Sequence, residues 1–344
     1  LAAVADTIGQ FHRENSTAHA PLTAHDEGRV TAALRGLTLQ QVRNIVSQCL
    51  VENGTLDATT VAKIEIYKKN VFDREGLLEF CASEGGTAIA NFDNLKEWLA
   101  IRRPIFTSGP SSLPMPKGVL LMGVQGCGKS LAVKVMAGEL ELPLYRLDLV
   151  RFYSKYIGET EQNLRRALAT VDQLSPICLW IDEIEKGFAA SSGDIDGGVS
   201  QRLLGTFLTW MQERKSTCFV AATANDVQSL PPEFLRKGRF DEIFFVDLPP
   251  PAARAELFGI HLRKRHLDDS SFNCARLADA TPDFSGAEIE QAVISALYRA
   301  TSQKEDLATA HILGEIASTK PLAALKSEEI ASLREWAHGR TILA

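Results

Sequence analysis

The residues of this chain best suited to chemistry are a lysine and a serine that close a glycine-rich run, and two adjacent carboxylates that close an apolar one. Gly123-Val124-Gln125-Gly126-Cys127-Gly128-Lys129-Ser130 fits the pattern G-x-x-x-x-G-K-S. Glycines let successive backbone amides turn inward and form a nest for phosphate oxygens. The helical pattern that follows (Leu131, Val135, Met136, Leu140) adds the positive end of its dipole. Lys129 is expected to reach the terminal phosphates of a nucleotide and Ser130 to hold Mg²⁺. Gly123, Gly126, Cys127, Gly128 and Leu131 complete the expected nucleotide-binding stretch. Cys127 reads as a small residue filling a loop position rather than a redox centre.

Ile177-Cys178-Leu179-Trp180-Ile181-Asp182-Glu183 reads as a buried strand ending in the two carboxylates. Asp182 suits an outer-sphere Mg²⁺ role, and Glu183 suits polarising a water that attacks the terminal phosphate. A phosphate nest alone would bind. With an intact Glu183 the expectation is turnover.

These groups need elements to position them. Short apolar runs, Val119–Met122, Leu144–Leu147, Ile177–Ile181, Cys218–Ala222 and Ile243–Val246, alternate with helical patterns. Strands that are apolar on both faces and separated by helices imply a parallel sheet covered on both sides. The expected fold is therefore an α/β P-loop NTPase with a five-stranded parallel sheet over residues 91–250. The prolines at 249–251 end that domain, and only amphipathic helices are expected over residues 251–344. Residues 1–28 read as an arm, broken at His19-Ala20-Pro21. Residues 29–90 read as a small helical domain, with a capping box at Thr38 and Gln41 and with Val42, Ile45, Val46 and Cys49 on one face. A second helix is expected from Asp57, with Val61, Ile64 and Val71 inward. Thr38 to Val42 echoes Ser285 to Ile289, which suggests that residues 30–80 are the helical remnant of a degenerate upstream ATPase module.

Bulk properties narrow the function classes. The chain has 344 residues and a formal net charge of −6, with the basic residues spread rather than blocked, which leans against a general nucleic-acid binder. Six cysteines without C-x-x-C spacing read as free thiols of a reducing compartment, and the cytoplasm is the expected location. No apolar stretch approaches the span of a bilayer, so no membrane is expected among the partners.

Later residues carry a family resemblance. Ala222-Thr223-Ala224-Asn225 resembles the sensor-1 segment of AAA ATPases, which implies that Asn225 orients the attacking water. Leu230 to Asp241 resembles the second region of homology of that family, which implies that Arg236 and Arg239 are arginine fingers for a neighbouring subunit's ATP. The chain departs from the family at Lys237, where proline is usual, and this leaves the arginines in register. Lys155, Tyr156 and Ile157 resemble the first pore loop, and the Gly/Ser/Asp-rich stretch 187–198 lies where a second would be. His261 resembles a lid histidine near the nucleotide, and Gly286 and Ala287 occupy the sensor-2 place without its arginine. The resemblance is to classical AAA ATPases. Within them it is to the group first recorded as hypothetical chloroplast open reading frames, which is widespread in bacteria. It implies ATP and Mg²⁺ as cofactors, a homo-oligomeric ring of six, and a protein substrate that is remodelled or threaded. A nucleic-acid motor, resting on the basic run His261 to His266, and an ATP-gated scaffold are the alternatives.

Overall fold

The computed structural model describes residues 30, 33–34, 37–53, 60–61, 63–64, 66–67, 78–84, 89–107, 113–152, 157–188, 197–236 and 238–344, with the backbone alone at 53, 107, 152, 157–159 and 197. In chain order the elements begin with α1 (Leu39–Asn53), β1 (Glu79–Cys81), α2 (Asp93–Thr107), β2 (Gly118–Gly123), α3 (Lys129–Glu139) and β3 (Leu144–Arg146). Next come α4 (Ile157–Leu174), β4 (Ile177–Ile181), α5 (Ile184–Phe188), α6 (Gly197–Glu213), β5 (Cys218–Ala224) and β6 (Glu242–Val246). The chain then runs through α7 (Pro251–Arg263), α8 (Cys274–Asp279), α9 (Gly286–Gln303), α10 (Thr309–Ser318), α11 (Leu322–Leu325), α12 (Ser327–Ala337) and β7 (Ile342–Leu343). Two compact units result: residues 1–82, 142–181 and 190–220, and residues 83–141, 182–189 and 221–344.

In the first unit the strands run in the order β1-β3-β4-β5. β3 pairs parallel to β4, with Leu144 opposite Cys178, and β1 pairs antiparallel to β3, with Phe80 opposite Tyr145. Every residue of β4 is buried, as its unbroken apolar run requires. In α4 the residues Leu164, Ala167, Leu168 and Val171 are buried, and in α6 Leu203, Phe207 and Met211, in both cases at helical spacing. α1 starts as its residues dictate. Gln41 N–H donates to Thr38 Oγ1 (3.3 Å), Thr38 N–H donates to Gln41 Oε1 (2.8 Å), and Val42, Ile45, Val46 and Cys49 are buried. Of the second expected helix, Val61 and Ile64 are helical, while Asp57 and Val71 lie outside the described residues.

In the second unit the order is β5-β2-β6-β7. β2 pairs parallel to β6 in a register that sets Val119 opposite Glu242 and Gly123 opposite Val246. α2 buries Leu95, Trp98 and Leu99, and the Trp98 ring stands edge-on to Phe244 at 6.2 Å. Helices α7 to α10 close around Phe258, Leu262, Leu277, Phe284, Ile289 and Ile312. Buried Arg254 ties the start of α7 to its surroundings by donating to the carbonyls of Pro249 (3.0 Å) and Ala278 (3.0 and 3.1 Å). α9 opens on a full capping box. Ser285 N–H donates to Glu288 Oε2 (2.8 Å), and Glu288 N–H donates to Ser285 Oγ (3.4 Å).

Two expectations are corrected. The segment 29–90 is not wholly helical, because β1 lies within it, and helices are not the only elements beyond the prolines, because β7 follows α12. The described strands therefore number seven rather than five, and one pairing is antiparallel. A run of three residues, or of two, is too short to show a period. Only its pairing partner defines it.

Candidate nucleotide site

Backbone geometry shapes the cradle first. Gly123, Gly126 and Gly128 take φ of 144°, 76° and 88°, a region that side chains disfavour. At Gly123 a Cβ would run into the Val246 carbonyl of β6, so the strand can enter the loop at that point only as glycine. At Gly126 a Cβ would come within 2.9 Å of Ser285 Oγ. Close approach is used there: the Gly126 carbonyl accepts the N–H of Ala287 (2.9 Å), which joins the loop to the first turn of α9.

The loop faces a cavity of about 520 Å³, a size usual for small-molecule sites. Gly126 to Leu131, Asp182, Glu183, Asn225, His261, Gly286 and Ala287 all line it. Gly123 acts one step behind, through its backbone. Lys129 is 6 % exposed and its Nζ donates to the carbonyls of Gly123 (2.8 Å) and Val124 (2.7 Å). Burial lowers its pKa to about 8, against the attraction of neighbouring carboxylates. Burial likewise pushes the Cys127 thiol up to about 12, which suits a packed residue and not a nucleophile.

Hydroxyls and carboxylates meet at the ends of β4 and β5. Asp182 Oδ1 accepts from Ser130 Oγ (3.2 Å) and from Thr223 Oγ1 (2.7 Å). Thr223 Oγ1 also accepts the N–H of Glu183 (3.0 Å), whose φ is 49°. Asn225 Nδ2 donates to Glu183 Oε1 (2.8 Å). Ser130 and Asp182 thus present hard oxygen donors within one hydrogen bond of each other, a donor set that fits Mg²⁺ shared with phosphates. His261 is nearly buried. Its Nδ1 lies 3.6 Å from Glu290 Oε1, and burial lowers its pKa.

Other expected residues stand apart. Arg236 is exposed, and Arg239 donates to the Glu233 carbonyl of its own segment; neither lines the cavity. Lys155, Tyr156 and most of the stretch 187–198 lie outside the described residues, and Ile157 opens α4 with only its backbone described.

Several participants were not singled out in the sequence. Thr223 sits in the Ala222–Asn225 run, and its hydroxyl next to a strand end was the available signal. Ile89, Asn91 and Phe92 line the cavity ahead of α2, and the Phe92 ring is 3.6 Å from where a Gly128 Cβ would sit. Glu185 is 3 % exposed and accepts the N–H of Asn225 (2.9 Å), with burial raising its pKa. Asp247 lines the cavity and is gripped by the Arg334 guanidinium fork (2.9 Å at each oxygen).

Comparison with known proteins agrees with this geometry. Residues 119–248 match the model of the ATPase family associated with various cellular activities (AAA), and residues 2–75 match that of a SpoVK-like AAA ATPase, second domain. The uncharacterized AAA domain-containing protein ycf46 of Trieres chinensis is 40% identical over 320 residues, covering 92% of this chain and 64% of that protein. The cell division cycle protein 48 homolog of Archaeoglobus fulgidus is 33% identical over 183 residues, 52% of this chain and 25% of its own length. The ATP-dependent zinc metalloprotease FtsH of Mycoplasmopsis synoviae is 32% identical over 192 residues, 54% of this chain and 29% of its own. The chain thus spans a little under two thirds of the ycf46 protein that it resembles along most of its length. Residues 119–248 are an AAA ATPase domain, built on a P-loop NTPase fold, in a chain similar to the ycf46 proteins of plastids.

Proposed function

We propose that this chain hydrolyses ATP with Mg²⁺ in the cavity at the β2–α3 loop, as one subunit of a homo-oligomeric ring that remodels or threads a protein. The observation that carries the reading is the convergence of Ser130, Thr223 and Asp182 at one point of the cavity, with Asn225 holding Glu183 beside them. Lys129 leaves the Gly123 and Val124 carbonyls to meet the terminal phosphates. Ser130 and Asp182 would hold Mg²⁺, which when bound offsets phosphate charge. Glu183 accepts a hydrogen bond from the attacking water, and Asn225 fixes the orientation of that carboxylate. The start of α9 and His261 border the nucleotide.

Arg236 and Arg239 are assigned to a neighbour's ATP, where a guanidinium offsets charge on the transferring phosphoryl group. Their absence from the lining of their own cavity supports this, and so does the likeness of residues 119–248 to a family whose members assemble into rings. Six subunits are proposed on the family resemblance. Lys155, Tyr156 and Ile157 are assigned to contact with the passing polypeptide. We assign residues 251–344 to the lid, and the part of residues 29–90 that precedes β1 to the helical remainder of an upstream module. The match of residues 2–75 to a SpoVK-like second domain supports the latter. No helix among the described residues is long and apolar enough to cross a membrane. Six free cysteines, four of them buried, favour a reducing compartment such as the cytoplasm. Against the nucleic-acid alternative, Arg263 pairs with Asp269 and both Lys264 and Arg265 pair with Glu290, which offsets part of the charge of that basic run.

The test is phosphate release by the purified chain with Mg²⁺ and ATP, beside sedimentation with and without nucleotide. Expected are turnover, a larger particle with ATP, and stimulation by unfolded polypeptide. Stimulation by DNA or RNA instead would reject the protein-remodelling reading, and no turnover at all would reject the enzyme.

A further inference from the structure

One carboxylate of the nucleotide cavity has no part in the chemistry proposed above. Asp182 and Glu183 belong to the phosphate end, and Asp247 is gripped at both oxygens by Arg334. Glu290 lines the same cavity from α9. Gly286, Ala287 and Glu290 share one face of that helix by their spacing, and Leu257, Ile260 and His261 share one face of α7. The start of α9 touches the phosphate loop, where Ala287 N–H donates to the Gly126 carbonyl (2.9 Å), and Glu290 lies about 5 Å further along the helix. It therefore stands one step beyond the phosphates, beside His261 and the apolar lining of Leu257 and Ile260. Its two oxygens differ. Oε1 accepts from Arg265 (3.1 Å), has Lys264 Nζ at 3.5 Å and lies 3.6 Å from His261 Nδ1. Arg265 is tied back in turn, donating to the His261 carbonyl (2.8 Å). Among the described residues no group donates to Oε2, and the buried Nδ1 of His261 has no hydrogen-bond partner.

We propose that Glu290 is a specificity-determining residue that accepts hydrogen bonds from the ribose hydroxyls, so that the cavity takes a ribonucleotide in preference to its deoxy counterpart. The inference rests on the proposed binding of ATP in this cavity. An ionised carboxylate accepts and cannot donate, which matches a neighbouring pair of hydroxyls. Set against phosphate oxygens it would repel them, so its place one helical turn from the loop suits the sugar. Arg265 fixes the carboxylate through Oε1, which leaves Oε2 for the ribose. A hydroxyl that donates there can also accept, and the unpaired ring nitrogen of His261 is the group at hand. A site built to hydrogen-bond a hydroxyl rejects the analogue that lacks it. The Glu290 side chain is 33% exposed, so water meets part of its need and the discrimination is modest.

The experiment measures by calorimetry the binding of ADP and of 2′,3′-dideoxyADP, each with Mg²⁺, to the full chain and to its Glu290→Ala and Glu290→Gln variants. ADP carries the same sugar as ATP and is not turned over. The parent chain is expected to bind ADP about tenfold more tightly than the dideoxy analogue. Glu290→Ala brings the two affinities within about twofold of each other, and Glu290→Gln, of the same size but a weaker acceptor, gives an intermediate ratio. The ratio is the readout because a loosened contact between α7 and α9 weakens both nucleotides alike and leaves it unchanged. Equal affinities in the parent chain would overturn the proposal, as would a preference that survives in both variants. Binding of neither nucleotide by the folded parent would remove the proposed function itself, whereas binding of both without preference removes only the role of Glu290.

Discussion

The floor of the nucleotide cavity and the segment that carries Arg236 and Arg239 are both dense in motif residues, yet they are held in opposite ways. On the floor the polar motif side chains are held by groups of the same chain. Lys129 folds onto loop carbonyls, Ser130 and Thr223 meet on Asp182, and Asn225 meets Glu183. Around the arginines, Arg239 donates to the Glu233 carbonyl a few residues back, and Arg236 is exposed. Groups that work within one chain can be organised by that chain. Groups proposed to work on a neighbour leave their charge outward, at little cost while water solvates it. A single chain therefore displays the first set as a network and the second as a surface.

That contrast can be broken at several points. The largest effect is expected from Lys129→Ala, which removes the buried ammonium of the cradle. ATP affinity by calorimetry should fall about a hundredfold or more, with turnover lost, since charge-assisted phosphate contacts cannot be replaced by water in a closed site. Arg239→Ala should leave ATP bound and particles assembled while turnover drops about a thousandfold, the scale of an arginine finger. Mixing Arg239→Ala with Glu183→Gln chains should recover part of the activity, because some interfaces then contain one intact half from each. Full activity of assembled Arg239→Ala would show that this arginine does not serve a neighbour's ATP.

Smaller effects sharpen the rigidity of the floor. Ser285→Ala removes the cap that starts α9 beside Gly126, and it should cost about 1 kcal/mol, read as a modest fall in melting temperature. Smallest of all, Cys127 should resist iodoacetamide at pH 8 while the less buried Cys81 and Cys274 react. A thiol with its pKa raised to about 12 is almost wholly protonated at that pH. Rapid labelling of Cys127 with loss of ATP binding would show a looser floor than the one described.

Much of the site was legible in the residues because its parts are local. The glycines, Lys129 and Ser130 lie in one turn between a strand and a helix, and Asp182 and Glu183 are consecutive at a strand end. The capping box at Ser285 was legible for the same reason, since its two partners are three residues apart. What escaped was set by distance along the chain. Phe92 reaches the loop, Arg334 grips Asp247 from 87 positions away, and Glu185 points its carboxyl at the Asn225 amide across 40. No periodicity encodes those meetings. β1 and β7 were missed because strands so short exist only through their neighbours, β3 and β6.

The account turns on Glu183 serving the reaction rather than the binding. Nucleotide affinity and single-turnover hydrolysis of the Glu183→Gln variant test this most directly. ATP should bind with the parent affinity to within about threefold, while hydrolysis slows by a hundredfold or more, the range expected when a positioned base is removed. Hydrolysis at the parent rate, with ATP bound as before, would contradict it.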